Sequence, residues 1–348
     1  MESCNLVPLC PCVSVFNNMS RKTRKLKNKL LVPFEWVGIG LGLCIIPWLS
    51  RLALFGLCDF LSALMYFFDR RGKRRALRNF RIVRGGARDI LSEVAFDPDK
   101  AKYDPTPVEA KVIRRSYRNM CRAVGYAFWT CFRAKARCAE TGIMSGEGKR
   151  FLATNCPAIT VSGHIGCWEI LSQLAFLEGH RMMSVAKGIG TGGMTALLMK
   201  ARRSIGQEIV PAEGAFKPLM QGLRDGKSLG LLVDQSVSLK KGGIWVRFLG
   251  LPISVSAAPA FFAAKGKAPI AVAWSRPLRD GRYRCEIVDM IAATEARDIW
   301  ATTQRIATDL EWIVRRHPSC WVLNYNFFSN RPKPEDLTAL AEREAKSV

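Results

Sequence analysis

The chain has 348 residues, 49% of them hydrophobic, and carries 53 Lys and Arg against 29 Asp and Glu, a net charge of +24. That length allows one large or two ordinary domains with a sizeable core, and that charge points to a polyanionic partner, either nucleic acid or an anionic membrane surface. No RNP, zinc-finger or other nucleic-acid-binding pattern is present, and the 12 cysteines form no CxxC pair, so they read as reduced thiols.

In chain order, residues 1–18 are uncharged but for Glu2 and match no signal-peptide layout, because the basic run follows them. Met19 is therefore a candidate natural start. Cys4, Cys10 and Cys12 cluster here without the usual metal-ligand spacing. Six of the nine residues from Arg21 to Lys29 are basic, and from Trp36 to Phe68 only Arg51 and Asp59 carry charge. A cationic collar beside an apolar segment is a membrane signature, with the collar on the cytoplasmic side. The uncharged run Trp36 to Ser50 is shorter than the roughly 20 residues of a spanning helix. This favours one or two helices embedded in one leaflet, with a tilted single span as the competitor. A second basic patch, Asp69 to Arg84, contains eight Lys or Arg. The chain thus divides into an N-terminal extension and collar (1–30), a membrane-associated helical segment (31–84), an α/β domain (85–330) and a charged tail (331–348).

Residues 86–140 read as helical, with a break at "FDPDKAKYDPTP". From Pro157 the texture changes. The short apolar runs "AITVS", "MMSVA", "EIVP", "LGLLV", "PIAVAWS", "YRCEIVDM" and "WVLN" read as strands. Helix-like stretches lie between several of them, at about 167–178, 193–204, 215–225 and 255–266. A last helix, about 296–316, places Trp300, Ile306, Leu310 and Ile313 on one face. Such alternation predicts a mostly parallel sheet covered by helices on its faces.

Of the three histidines, His317 precedes a proline at a helix end and His180 follows Gly179 in a loop. His164 stands where the strand "AITVS" ends, which in an open α/β sheet is the ligand-binding end. Glu169 follows five residues later in "HIGCWE", within the first turn of the next helix, from which its carboxylate can turn back to the imidazole. A carboxylate on one ring nitrogen fixes the tautomer and frees the other to accept a proton from a hydroxyl. No metal-ligand set surrounds His164, and no cofactor is expected.

"SGHIGCWE" resembles the HxxxxE block of the bacterial lipid A late acyltransferases, the lauroyl and myristoyl transferase family. Other blocks follow in that family's order: "RRALRNFRIV", "GLLVDQ" ending at Asp234 and Gln235, "KKGGIWVRFLGLPISVSAAPAFFAAKGKAPIAVAWSR", and "RRHPSCW". The resemblance implies a glycerolipid-acyltransferase-like fold on the cytoplasmic face of a bacterial inner membrane. It implies acyl carrier protein or coenzyme A as donor carrier and a lipid hydroxyl as acceptor. It also implies His164 as general base with Glu169 as partner, and substrate-binding roles for Arg202 or Arg203 in "KARRSIG" and for Lys187, Asp234 and Gln235. The family often has Lys-Asn where this chain has Lys187-Gly188, and it commonly ends in a basic W-x-W-x-H-R-R-W where this chain has "WVLNYNFF". The acceptor is therefore expected to be less anionic than a lipid A precursor.

Three other motifs compete with this reading. "GIGTGG", with Gly188, Gly190 and Gly193, satisfies a dinucleotide-binding fingerprint, with Glu213 placed 20 residues on. Its strand is short and does not open the domain, so a loop near the active site is preferred. "GKSLG" around Ser228 has its helix before it and its strand after it, the reverse of a nucleophile elbow. "GLRDGKS" lacks the first P-loop glycine, at Gln221. The alternatives are a nucleotide-binding enzyme and a non-catalytic membrane-binding protein.

Overall fold

A computed structural model describes residues 42, 45–85, 102–186, 196, 199–200 and 202–346. The basic collar, Lys187 and the "GIGTGG" loop lie outside them, as does half of the 193–204 helix expected from the sequence. The helices are α1 (Arg51–Phe68), α2 (Arg70–Val83), α3 (Pro107–Trp129), α4 (Ala134–Thr141), α5 (Gly146–Thr154), α6 (Glu169–Leu177), α7 (Phe216–Arg224), α8 (Ala258–Gly266), α9 (Ile299–Arg316) and α10 (Pro334–Lys346). The strands are β1 (Gly142–Met144), β2 (Ile159–Ser162), β3 (Met182–Ala186), β4 (Glu208–Pro211), β5 (Ser228–Leu232), β6 (Gly243–Phe248), β7 (Leu251–Ser256), β8 (Ile270–Pro277) and β9 (Tyr283–Ile291).

Seven strands form one sheet in the order β1-β9-β8-β2-β5-β3-β4, parallel throughout except between β8 and β9. Six of the expected strands are present. "WVLN" is not a strand; its Trp321 makes only an isolated bridge with Ile165. The fold is thus a mixed α/β sheet flanked by helices, as its alternating apolar runs predict. Its central strands are buried on both faces and therefore read as continuous apolar stretches. In β8 the two faces separate by residue parity: Ile270, Val272 and Trp274 join one core cluster, and Ala271 joins the other.

The larger cluster gathers α2, α7, α8, α9 and the β6–β7 hairpin. The smaller one gathers α1, α4, α6 and part of α3. The hairpin was not foreseen. Its two-residue turn, Leu249 and Gly250, has positive φ at both positions (56° and 80°), the mirror-image turn that matches strand twist. "FLGLP" does not advertise it, because leucine rarely occupies such a φ. The hairpin is held to α9 by the Leu249 N–H on Glu311 Oε2 (2.5 Å) and by Gln304, whose Oε1 accepts from Arg247 N (2.7 Å).

The topology decides where a ligand can sit. After β2 the chain crosses over to β3, beyond β5; after β5 it returns past β2 to β8. The two connections leave adjacent strands in opposite directions, so the crevice beyond the carboxyl ends of β2 and β5 is a topological switch point.

Candidate active site

The site is built by strand register. β2 and β5 pair in parallel with Ser162 opposite Leu232, so the residues that follow, Gly163-His164 and Val233-Asp234, emerge side by side. Val233 N–H donates to Ser162 O (3.0 Å) and extends the ladder one step further. Position 163 needs glycine: a Cβ there would press on the Asp234 side chain at 3.1 Å.

Asp234 is almost wholly buried and accepts three hydrogen bonds. The His164 backbone N–H (2.8 Å) and the Trp321 indole N–H (3.0 Å) converge on Oδ2, and His164 Nδ1 lies 2.7 Å from Oδ1. A carboxylate there fixes the proton on Nδ1 and leaves Nε2 as the basic nitrogen. Gln235 Nε2 lies 3.4 Å from that nitrogen and can donate to it. The His164 side chain is 19% exposed against 1% for Asp234, so the imidazole can be reached from solvent while its partner cannot.

The direct His164–Glu169 contact expected from the sequence is replaced. Glu169 is the first residue of α6, a favourable place for a negative charge. Its carboxylate, however, is taken bidentately by Arg202, with Nε on Oε2 at 3.0 Å and Nη2 on Oε1 at 2.5 Å. The planar guanidinium fork matches a carboxylate with two parallel bonds. The nitrogen that Glu169 was expected to engage already belongs to Asp234, whose backbone register places it there first. Glu169 still acts on His164 through space.

The four charges form a coupled set. At His164 burial opposes the charged form, yet Asp234 and then Glu169 outweigh burial and Arg202, and the pKa stands above its ordinary value. Burial also resists ionisation of Asp234 and Glu169, but His164 and Arg202 respectively hold both carboxyls below the usual range. Burial disfavours the Arg202 charge too, and Glu169 more than restores it.

The turn between β2 and α6 is clamped from outside. Gly166 has φ +65° and bridges to Ser275 of β8, where a Cβ would run into the Ser275 carbonyl oxygen. Gly166 N–H donates to Cys320 O (2.9 Å), Cys167 N–H to Ser275 Oγ (2.7 Å), and Val322 N–H to His164 O (3.2 Å). The "HPSCW" segment therefore does two things: it fixes the backbone of the His164 turn, and it donates an indole N–H to Asp234. The role of Trp321 was not foreseen, and its only trace in the sequence is the motif itself. Trp168 stands beside the imidazole, ring centroids 5.1 Å apart.

Among the other expected site residues, Arg203 is exposed and away from this set, so of the two arginines it is Arg202 that joins it. Lys187 lies outside the described residues. No group of three or more His, Cys, Asp or Glu that could hold a metal occurs among the described residues. A narrow apolar pocket runs from Val233 and Asp234 between the β6–β7 hairpin (Phe248, Ile253, Val255) and α9 (Ile306, Leu310).

The sequence model for bacterial lipid A biosynthesis acyltransferases matches residues 102–328, well over half of the chain. No curated protein matches it. The chain belongs to the lipid A biosynthesis acyltransferase family, and it is an enzyme that transfers acyl groups.

Proposed function

We propose that this enzyme transfers a fatty-acyl chain from an acyl carrier protein or coenzyme A thioester to a hydroxyl of a membrane lipid, with His164 as general base. The observation that carries this reading is the His164–Asp234 pair, 2.7 Å apart at the switch point, with Nε2 held only by a long 3.4 Å contact from Gln235 Nε2 that a hydroxyl can replace. The acceptor oxygen attacks the thioester carbonyl carbon as its proton passes to Nε2. The tetrahedral intermediate then expels the thiolate, which takes the proton back from Nε2, so ester and thiol are formed with no covalent enzyme intermediate. Asp234 orients the imidazole and stabilises its protonated form. Glu169 adds a second negative charge and anchors Arg202, whose guanidinium also acts on His164 through space and is the charged donor assigned to the oxyanion that develops during transfer.

We further propose that the protein works at the cytoplasmic face of the inner membrane, with α1 lying along the bilayer rather than crossing it. By length and composition α1 is the one helix among the described residues that could cross. One side of it is engaged: Asp59 forms a bidentate pair with Arg122 of α3 (2.6 Å for both bonds), and Leu54, Phe55 and Cys58 are buried. The other side exposes Leu52, Phe60, Leu64, Phe67 and Phe68, with Trp48 just before the helix. An apolar face next to the basic α2 is the pattern of an interfacial helix.

The test is lipid mass spectrometry of cells with the protein, without it, and with His164→Ala. A lipid that gains one acyl chain only with the active protein identifies the acceptor. An unchanged lipid profile, or a change that His164→Ala preserves, overturns the mechanism.

A further inference from the structure

Seven of the fourteen residues of α2 are Arg or Lys, and those with a clear environment are partnered. Arg78 donates to Asn79 Oδ1 through Nε (3.1 Å) and Nη2 (2.8 Å), Arg81 pairs with Glu109 (2.9 Å), and Lys73 sits over the Tyr66 ring (5.2 Å). Arg75 differs. It is half-buried, its Nε is shut off from solvent without an acceptor, and its side chain makes neither hydrogen bond nor ion pair with any described residue.

Its surroundings tie it to the active site. One turn further along α2, Asn79 donates to the carbonyls of Leu323 and Tyr325 (2.7 Å each), which binds the chain after Trp321 to this helix. Asn324, between those two residues, is 3% exposed; its Nδ2 makes no hydrogen bond of ordinary length and has only the Tyr117 hydroxyl as a weak partner. Tyr325 lies within the fields of both Asp234 and Arg75: burial and then Asp234 push its phenol up to about 12, while Arg75 opposes them. Arg75 and Asp234 thus act electrostatically on the same tyrosine, whose carbonyl Asn79 ties to α2.

A buried donor without an acceptor keeps the cost of its desolvation uncompensated, and the more so when it is charged. Arg has five donors and no acceptor, and the Asn amide nitrogen also only donates. What is missing here is an acceptor, and an anionic one. We propose that Arg75, with Asn324 and Tyr325, forms the binding subsite for a phosphoryl group carried by one of the two acyl-transfer substrates. This rests on the acyl-transfer reading above, in which the phosphopantetheine arm of the donor and the headgroup of a membrane lipid can each bear that group. A guanidinium fork and an amide offer several donors to the several oxygens of one phosphoryl group.

The test is titration calorimetry of the full chain in detergent with two matched pairs of probes. Phosphopantetheine against pantetheine reports on the donor, and dihexanoyl phosphatidic acid against dihexanoylglycerol reports on the acceptor. In one pair the phosphorylated member should bind at least about tenfold tighter, the scale of one good charge-assisted contact. Arg75→Met should cut that preference to about threefold or less, and Arg75→Lys should keep most of it. Asn324→Asp supplies an independent variant: it puts a negative charge in the subsite and should abolish the preference. His164→Ala removes the proposed base and should leave the preference intact, so loss of chemistry and loss of phosphate recognition are read separately. Absence of any preference in the native protein, or an undiminished preference in both folded Arg75→Met and folded Asn324→Asp, overturns the proposal.

Discussion

The sheet carries a hydrogen-bonded histidine at each of its two ends, and the contrast between them separates chemistry from architecture. At the carboxyl ends of β2 and β5, His164 gives Nδ1 to a buried carboxylate, and its Nε2 meets only Gln235 Nε2, at 3.4 Å. At the opposite end His180 precedes β3 and Ser228 opens β5. There His180 Nδ1 lies 2.9 Å from Ser228 Oγ, and Nε2 lies 2.9 Å from Leu152 O. A serine–histidine pair at hydrogen-bond distance invites a hydrolase reading. Both ring nitrogens are consumed, however, both residues are buried, and Ser228 Oγ already accepts from Ala158 N–H (3.0 Å). No acid orients this imidazole. The comparison teaches that a carboxylate on one ring nitrogen and only a long, replaceable contact on the other suit a histidine to proton transfer, whereas proximity to a hydroxyl does not.

The largest effect expected from breaking the first pair is that of Asp234→Asn. The amide offers its NH2 or its oxygen to Nδ1, no longer fixes the proton there, and cannot stabilise the imidazolium. Transfer should fall by about 10²–10⁴-fold, the usual worth of general-base assistance. The pH profile sharpens the same point. Asp234 raises the His164 pKa, so the basic form, and with it activity, should appear only as pH rises through a value above 6.5. The sign for stability is the opposite: the proton that His164 gains in the folded state stabilises fully below about 6.5, and this contribution is lost as pH climbs through the raised value. Asp234→Asn should shift the acid limb of residual activity downward. An unshifted limb would show that another group controls it.

Next in size is the Glu169–Arg202 pair, whose side chains are 9% and 15% exposed. Glu169→Gln strands a buried guanidinium, a loss of about 3–5 kcal/mol in stability when such pairs are broken. Adding Arg202→Met removes the stranded charge and should restore most of that stability. If the pair also acts in the reaction, the double variant will refold well and remain slow, at least about tenfold below the native rate. A stable double variant with native kcat would make Glu169 and Arg202 purely architectural. Chemical denaturation beside a steady-state assay reads both quantities.

How much of this was legible in the sequence follows from the range of each interaction. The strand–helix alternation after Pro157 is local, and so is the position of His164 at a strand end; both emerged from short apolar runs. Asp234 sits 70 residues from His164, and only the parallel register of β2 on β5 brings its carboxylate to Nδ1. Reading Glu169 as the direct partner was the local solution to a problem the fold solves at long range. Trp321 is farther still, and its indole bond to Asp234 needs the chain to return across the His164 turn after α9. The β6–β7 hairpin escaped notice for a different reason, because its turn places a leucine at positive φ.

The smallest effect on catalysis is expected at the second histidine, and it tests the comparison from the other side. Ser228→Ala removes an acceptor from Ala158 N–H and a partner from His180, both buried. Each buried polar group left unsatisfied costs about 1–3 kcal/mol, so the variant should melt earlier. Its turnover per folded molecule should be unchanged, because the pair lies at the amino end of β5, at the far end of that strand from His164. A serine nucleophile would behave differently: the folded variant would be dead, and the native enzyme would show a burst of free thiol equal to its concentration, as a covalent acyl-enzyme requires. Thermal melting, turnover normalised to folded protein and a rapid-mixing burst assay together decide the matter. A folded but inactive Ser228→Ala would transfer the chemistry to the wrong end of the sheet and sink the assignment of His164; a melted but catalytically normal one leaves His164 as the base.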